Sequence, residues 1–97
     1  MATLRALECL VALVDHGSVT AAAESLHLSQ PALSHQIASL ERELGTPVVE
    51  RLGRGVRVTA AGRATAQEAR VALRAAEEAV RIGRRVGAGR AGPDVRR

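Results

Sequence analysis

The twenty residues LHLSQPALSHQIASLERELG, Leu26 to Gly45, constrain the fold of this chain more than any other stretch. Leu33, Ile37, Leu40 and Leu44 recur at i, i+4, i+7 and i+11, a narrow apolar stripe along one helix face. Ser29 is a good N-cap, and Pro31 falls in the first turn, where its missing N–H removes no helical hydrogen bond. Gly45 predicts the stop, because glycine readily takes the left-handed conformation that closes a helix. On a helical wheel Pro31, His35, Ala38 and Arg42 point away from the stripe, while Gln30 and Ser34 lie along one flank near the start. A helix that only filled a core would need the stripe alone. The polar residues at its start predict that this end faces a partner.

The flanking segments fit around that helix. Leu4, Leu7, Leu10, Val11 and Val14 predict a first helix from Leu4 to His16, ended by Gly17. Ser18 or Thr20 then caps a short second helix in TAAAESLH, whose consecutive alanines allow close approach to a neighbour. Leu28 is expected to tuck beneath the following turn. Two helices joined by a short turn, the second with an exposed polar N-terminus, match the helix-turn-helix layout. Beyond Pro47, VVER and VRVT are short β-prone runs separated by LGRG. They predict a hairpin with Arg54 near its tip and Arg51 and Arg57 on its strands. The expected fold class is therefore mainly α, a winged helix-turn-helix of three helices and a two-stranded wing, followed by a long linker helix.

Thr59 caps that last helix, expected from Ala60 to Val86. Ala66, Ala69, Leu73, Ala76 and Val80 alternate in steps of three and four, a seam of about two heptads. Arg63, Arg70, Arg74, Arg81 and Arg85 mostly lie away from it. Such a helix outruns what a small domain can cover, and Leu73, Val80 and Ile82 favour pairing with a second copy over a merely solvated alanine-rich helix. The glycine, proline and arginine at the end read as a hinge or tail. The expected division is 1–59 for the winged helix-turn-helix, 60–86 for the linker and dimerisation helix, and 87–97 for the tail.

Composition narrows the function classes. The 97 residues include no Phe, Trp or Tyr, so the core must be aliphatic and the monomer of limited stability. A net charge of +4 favours polyanionic partners. The charge is uneven: residues 1–46 carry two Arg against five acids, a balance of −3, and residues 47–97 carry twelve Arg against five acids, a balance of +7. The lone Cys9 sits in an apolar helical pattern and reads as a small core residue. His16 and His27 read as helix-end residues, and the scattered histidines have no metal-ligand spacing. No Ser–His–acid set can be argued, so neither an enzyme nor a cofactor is expected. With no apolar run of spanning length and no signal peptide, the chain reads as cytoplasmic.

GSVTAAAESLHLSQPALSHQIASLERELGTPVVERLGRGVRVTAAG resembles the N-terminal DNA-binding region of LysR-type transcriptional regulators, through AAA, LSQPALS, LERELG, the ER before the wing and VTAAG. The resemblance covers residues 3 to about 86. It implies bacterial promoter DNA as partner, usually an interrupted palindrome, and homodimers formed by antiparallel linker helices, with tetramers a further option for full-length forms. By position it places Gln30, Pro31, Ser34 and His35 at the major groove. Thr20 and Ser29 fall at phosphates, and Arg54 reaches from the wing into the minor groove. The dimer seam would be Ala66, Ala69, Leu73, Ala76 and Val80. Leu10, Val19 and Val49 stand where the family usually has aromatic residues, and His35 where arginine is common. The family's effector-binding domain has no counterpart in these residues, which leaves no small-molecule effector site here. A dimerising module that acts through mixed dimers with a full-length regulator is the competing reading.

Overall fold

Hydroxyl side chains start all four helices of the computed structural model, which describes residues 1–90. The helices are α1 (Leu4–His16), α2 (Val19–Ser25), α3 (Gln30–Leu44) and α4 (Ala60–Arg90). The side-chain oxygens of Thr3, Ser18, Ser29 and Thr59 each accept an N–H from three residues along, at 3.2, 3.1, 3.1 and 3.0 Å. Each thereby satisfies one of the amide groups that a helix start leaves without a partner. Of the two caps considered for the second helix it is Ser18 that serves, so α2 begins at Val19 and Thr20 lies inside it.

The helix ends follow two designs. Gly17 and Gly45 close α1 and α3 in the left-handed conformation, with φ of 73° and 76°. The end of α2 is a Schellman motif without glycine. His27 takes φ 57°, its N–H donates to Glu24 O at 3.2 Å, and the Leu28 N–H donates to Ala23 O at 2.9 Å. Leu28 packs against the core from there. The Arg5 guanidinium donates to Leu26 O at 3.3 Å and pairs with Glu8 at 2.9 Å, placing a cation at the negative end of α2. The turn of the helix-turn-helix is thus held from both sides.

α1 is the central helix, packed by α2, α3 and α4. Its buried arc, Ala6, Cys9, Leu10, Ala12 and Leu13, is turned away from the stripe expected from sequence: of Leu4, Leu7, Leu10, Val11 and Val14 only Leu10 is fully buried, with Leu7 and Val14 packed at the margin of the core. Leu13 belongs to the core, whereas Leu4 is 50% exposed. Leu33, Ile37 and Leu40 of α3 complete the core, but Leu44 lies past its edge at 40% exposure. Aliphatic side chains fill the positions where aromatics were expected: Leu10 and Val49 are buried and Val19 packs on the core.

Strands β1 (Val49–Arg51) and β2 (Val56–Val58) pair antiparallel, with Val49 opposite Val58, Glu50 opposite Arg57 and Arg51 opposite Val56. The base of this hairpin is clamped between two helices. The buried Val48 N–H donates to Glu41 Oε2 of α3 at 2.8 Å, and the Thr59 N–H donates to Val48 O at 3.0 Å. α4 lies so close that a Cβ on Gly62 would stand 2.0 Å from Val48 O. At the other end the Val56 N–H donates to Gly17 O at 3.2 Å, docking the hairpin on the turn between α1 and α2.

α4 has 31 residues, about 46 Å at 1.5 Å per residue, and accounts for the longest dimension of a molecule measuring 57 × 25 × 18 Å. It continues to Arg90, so 87–90 are helix rather than tail, and 91–97 lie outside the described residues. Its early seam is not free for a second copy. Ala66 and Ala69 are 3% and 2% exposed because that part of α4 packs on α1 of the same chain, so these two leave the expected dimer seam. Arg70, expected to lie off the packed side, donates to both Asp15 oxygens at 2.6 and 3.3 Å and ties α4 to the end of α1.

Candidate functional site

Because Leu33, Ile37 and Leu40 fix the rotation of α3 against α1, the opposite side of α3 is left to solvent. Gln30, Pro31 and His35 are exposed there, with Ser34 partly covered beside them. Ser29 is exposed, and its oxygen is engaged as the cap of Ala32. The Leu33 N–H is held by Ser29 O at 3.0 Å, and Pro31 has no N–H to offer. Among the described residues this leaves the Gln30 N–H as the first-turn donor without a partner, at the positive end of the helix. The start of α3 therefore presents donors to an external acceptor.

The hairpin brings arginine to the same place. Arg51 Nη2 donates to Ser34 Oγ at 2.9 Å, joining β1 to α3 across seventeen positions of sequence. Sequence reasoning put Arg51 on a strand but gave it no role. The signal was strand alternation: Val49 is buried, so Arg51, two residues on, projects from the same face toward the body of the domain. Glu50 is on the other face, paired with Arg57 at 2.7 Å, and so does not compete for Arg51. Arg54 is exposed in the loop between the strands and makes no ion pair among the described residues. Thr20 is exposed in the first turn of α2, with its side chain likewise unbonded to the other candidate residues.

A second surface lies between α1 and the later part of α4. Leu4, Leu73, Ala76 and Val80 line an open groove, flanked by two acids, Glu8 and Glu77, and two arginines, Arg81 and Arg84. Val80 is 53% exposed. The remaining reactive groups are quiet. Cys9 is buried and desolvation pushes its thiol pKa up, which keeps it protonated. Among the described residues no three His, Cys, Asp or Glu side chains gather as a metal site, and no helix is long and apolar enough to cross a membrane.

Comparison with known proteins places this geometry. Residues 4–63 match the family of bacterial regulatory helix-turn-helix proteins of the lysR type. The nitrogen assimilation regulatory protein nac of Klebsiella aerogenes is 49% identical over 76 residues, which cover 78% of this chain and 25% of that protein. The chain thus spans about a quarter of the length of the curated relatives it matches. Among solved structures, the BenM DNA-binding domain in complex with benA site 1 DNA superposes with a TM-score of 0.81 at 39% identity, over 90% of this chain and 98% of that one. The CbnR DNA-binding domain in its DNA complex gives 0.81 at 36% identity, over 88% and 98% of the two chains.

Proposed function

The chain belongs to the lysR family of bacterial regulatory helix-turn-helix proteins, and we propose that it binds DNA sequence-specifically in transcription regulation, α3 reading the major groove while the hairpin holds the backbone and minor groove. The observation that carries this division is the start of α3, where Gln30, Pro31 and His35 are exposed and Ser34 is bridged to the hairpin by Arg51. Gln30 and His35 then reach base edges, Pro31 packs against the groove, and Thr20 and Ser29 contact phosphates. Arg54 reaches the minor groove or its phosphates. The first 46 residues are net acidic, so attraction to DNA rests on the helix start and on the arginines of the hairpin and α4.

The same reading makes the chain a homodimer through the later part of α4, with Leu73, Ala76 and Val80 against a second copy and an interrupted palindrome as the target. It places the protein in the cytoplasm, and any tetramer belongs to longer forms. The interaction-module alternative is not favoured, because solved structures that this fold matches are themselves DNA complexes.

The test uses a duplex selected from a randomised pool by the protein. Gln30→Ala should cost about 1–3 kcal/mol on the selected site and much less on a scrambled duplex. Equal losses on both would make Gln30 a backbone contact instead of a reader. Arg54→Ala should weaken binding to both duplexes and flatten the salt dependence by about one unit.

A further inference from the structure

Two hydroxyls inside the helices of this chain spend their protons on their own backbone. Ser25 Oγ donates to Ala22 O at 2.7 Å, and Thr65 Oγ1 donates to Ala61 O at 2.8 Å, the usual local bonds of such residues within a helix. Ser34 does otherwise. Its oxygen accepts from Arg51 Nη2 at 2.9 Å, and among the described residues its proton has no acceptor on α3. A guanidinium has donors only, so in this bond Ser34 is necessarily the acceptor. What remains to face outward is the hydroxyl proton and one lone pair, beside a positive charge.

We propose that Arg51 is a positioning residue that presets Ser34 as a hydrogen-bond donor, so that α3 selects a base edge carrying an acceptor at the position Ser34 meets. A free serine hydroxyl rotates and is indifferent to whether its partner donates or accepts. With one lone pair occupied and a cation alongside, the proton is turned outward, and an amino group brought to the same place meets like partial charge. Guanine N7 and O6, adenine N7 and thymine O4 suit this arrangement, and the cytosine amino group does not. The fold supports the arrangement from both sides. The rotation of α3 is fixed by its buried stripe, and Arg51 projects from the face of β1 that Val49 anchors in the core. This inference rests on the reading that the start of α3 enters the major groove.

The experiment uses the whole chain and the duplex selected from a randomised pool, with each base pair of the site changed in turn and with 7-deazapurines placed at purine positions. For the parent protein one position should discriminate acceptor from donor by about fivefold, the scale of a single hydrogen bond. Ser34→Ala should abolish that discrimination. Arg51→Ala should reduce it by at least half at that position alone, and Ser34→Ala with Arg51→Ala together should discriminate no worse than Ser34→Ala. Both side chains are partly or fully exposed, and circular dichroism of each variant checks that the fold is intact. If Arg51→Ala weakens every duplex equally, leaves the discrimination unchanged and lowers the salt slope by about one unit, Arg51 is a phosphate contact and the proposal fails. If Ser34→Ala alters discrimination at no position, the proposal fails while the groove reading stands. A parent protein that enriches no sequence at all would remove the groove reading itself, and this inference with it.

Discussion

Between Ala60 and Ala69, α4 turns glycine and alanine onto the rest of the chain, whereas from Leu73 onward it carries larger apolar residues that α1 covers only in part and, beyond Val80, not at all. α1 runs antiparallel to α4, with Val14 beside Ala66 and Leu4 beside Ala76 and Val80. At 13 residues, about 20 Å, α1 ends beside Ala76 and Val80, where α4 still has roughly three turns to go. The spacing of apolar residues is similar in both parts, so spacing alone does not say which chain covers them. Residue size does. Gly62, Ala66 and Ala69 let α4 lie closely against Val48 and α1. Leu73, Val80 and Val86 are too large for that closeness and stand where nothing else in the described chain can bury them fully.

Substitutions in the two parts should therefore fail differently. Ala66→Asp places an unpaired carboxylate in the core and should cost about 3–5 kcal/mol, enough to leave a domain of this size largely unfolded. Leu73→Asp together with Val80→Asp should leave the helical circular dichroism of the monomer unchanged and abolish self-association in sedimentation. An unchanged dimer would take the later part of α4 out of its role, and an unfolded double variant would mean that both parts serve the monomer. A substitution remote from α4 provides the control. His27 holds a conformation that costs a branched residue more than glycine, so His27→Val should destabilise and His27→Gly stabilise, each by about 1 kcal/mol. Neither should change the dimer's dissociation constant.

Much of this was legible in the residues. The caps Ser29 and Thr59, the choice of Ser18 or Thr20 for α2, the glycine stops and the hairpin are local chemistry, and the chain contains the residues that each demands; the Thr3 cap of α1 was not expected. The start of α3 was legible for the same reason: once Leu33, Ile37 and Leu40 are inside, Gln30, Pro31 and His35 have only solvent to face. What escaped is non-local. Arg51 meets Ser34 only because the hairpin folds back toward α3, and Arg70 meets Asp15 only because α4 returns along α1. Ala66 and Ala69 were misassigned because an alanine seam looks the same whether its partner is another copy or another helix of one chain. The buried face of α1 escaped the apolar spacing because three helices pack around α1, so small residues (Ala6, Cys9 and Ala12) are buried while Leu7, Val11 and Val14 are only partly covered.

The smallest effect tests the boundary between the two parts of α4, where Arg70 is held by Asp15. Two opposing influences act on that carboxylate. It lies in the last turn of α1, whose negative end disfavours an anion. Against this, hydrogen bonding from Arg70 leads the causes that hold its pKa below the ordinary aspartate value, despite some desolvation. The net direction is downward, so Arg70 outweighs desolvation. A lowered folded-state pKa means stability that is present above the unfolded value of about 3.9 and lost as pH falls through the folded one. Asp15→Asn should accordingly be slightly less stable than the parent in urea at pH 7. The difference should shrink below about pH 4 and vanish once the parent's own carboxyl is protonated. It should also shrink in high salt, since both side chains are more than one-third exposed. An Asp15→Asn variant more stable than the parent at pH 7 would mean that the end of α1 prevails over Arg70. A deficit of the same size at every pH would mean that the pair joins α4 to α1 by hydrogen-bond geometry, which asparagine spoils, with charge contributing nothing.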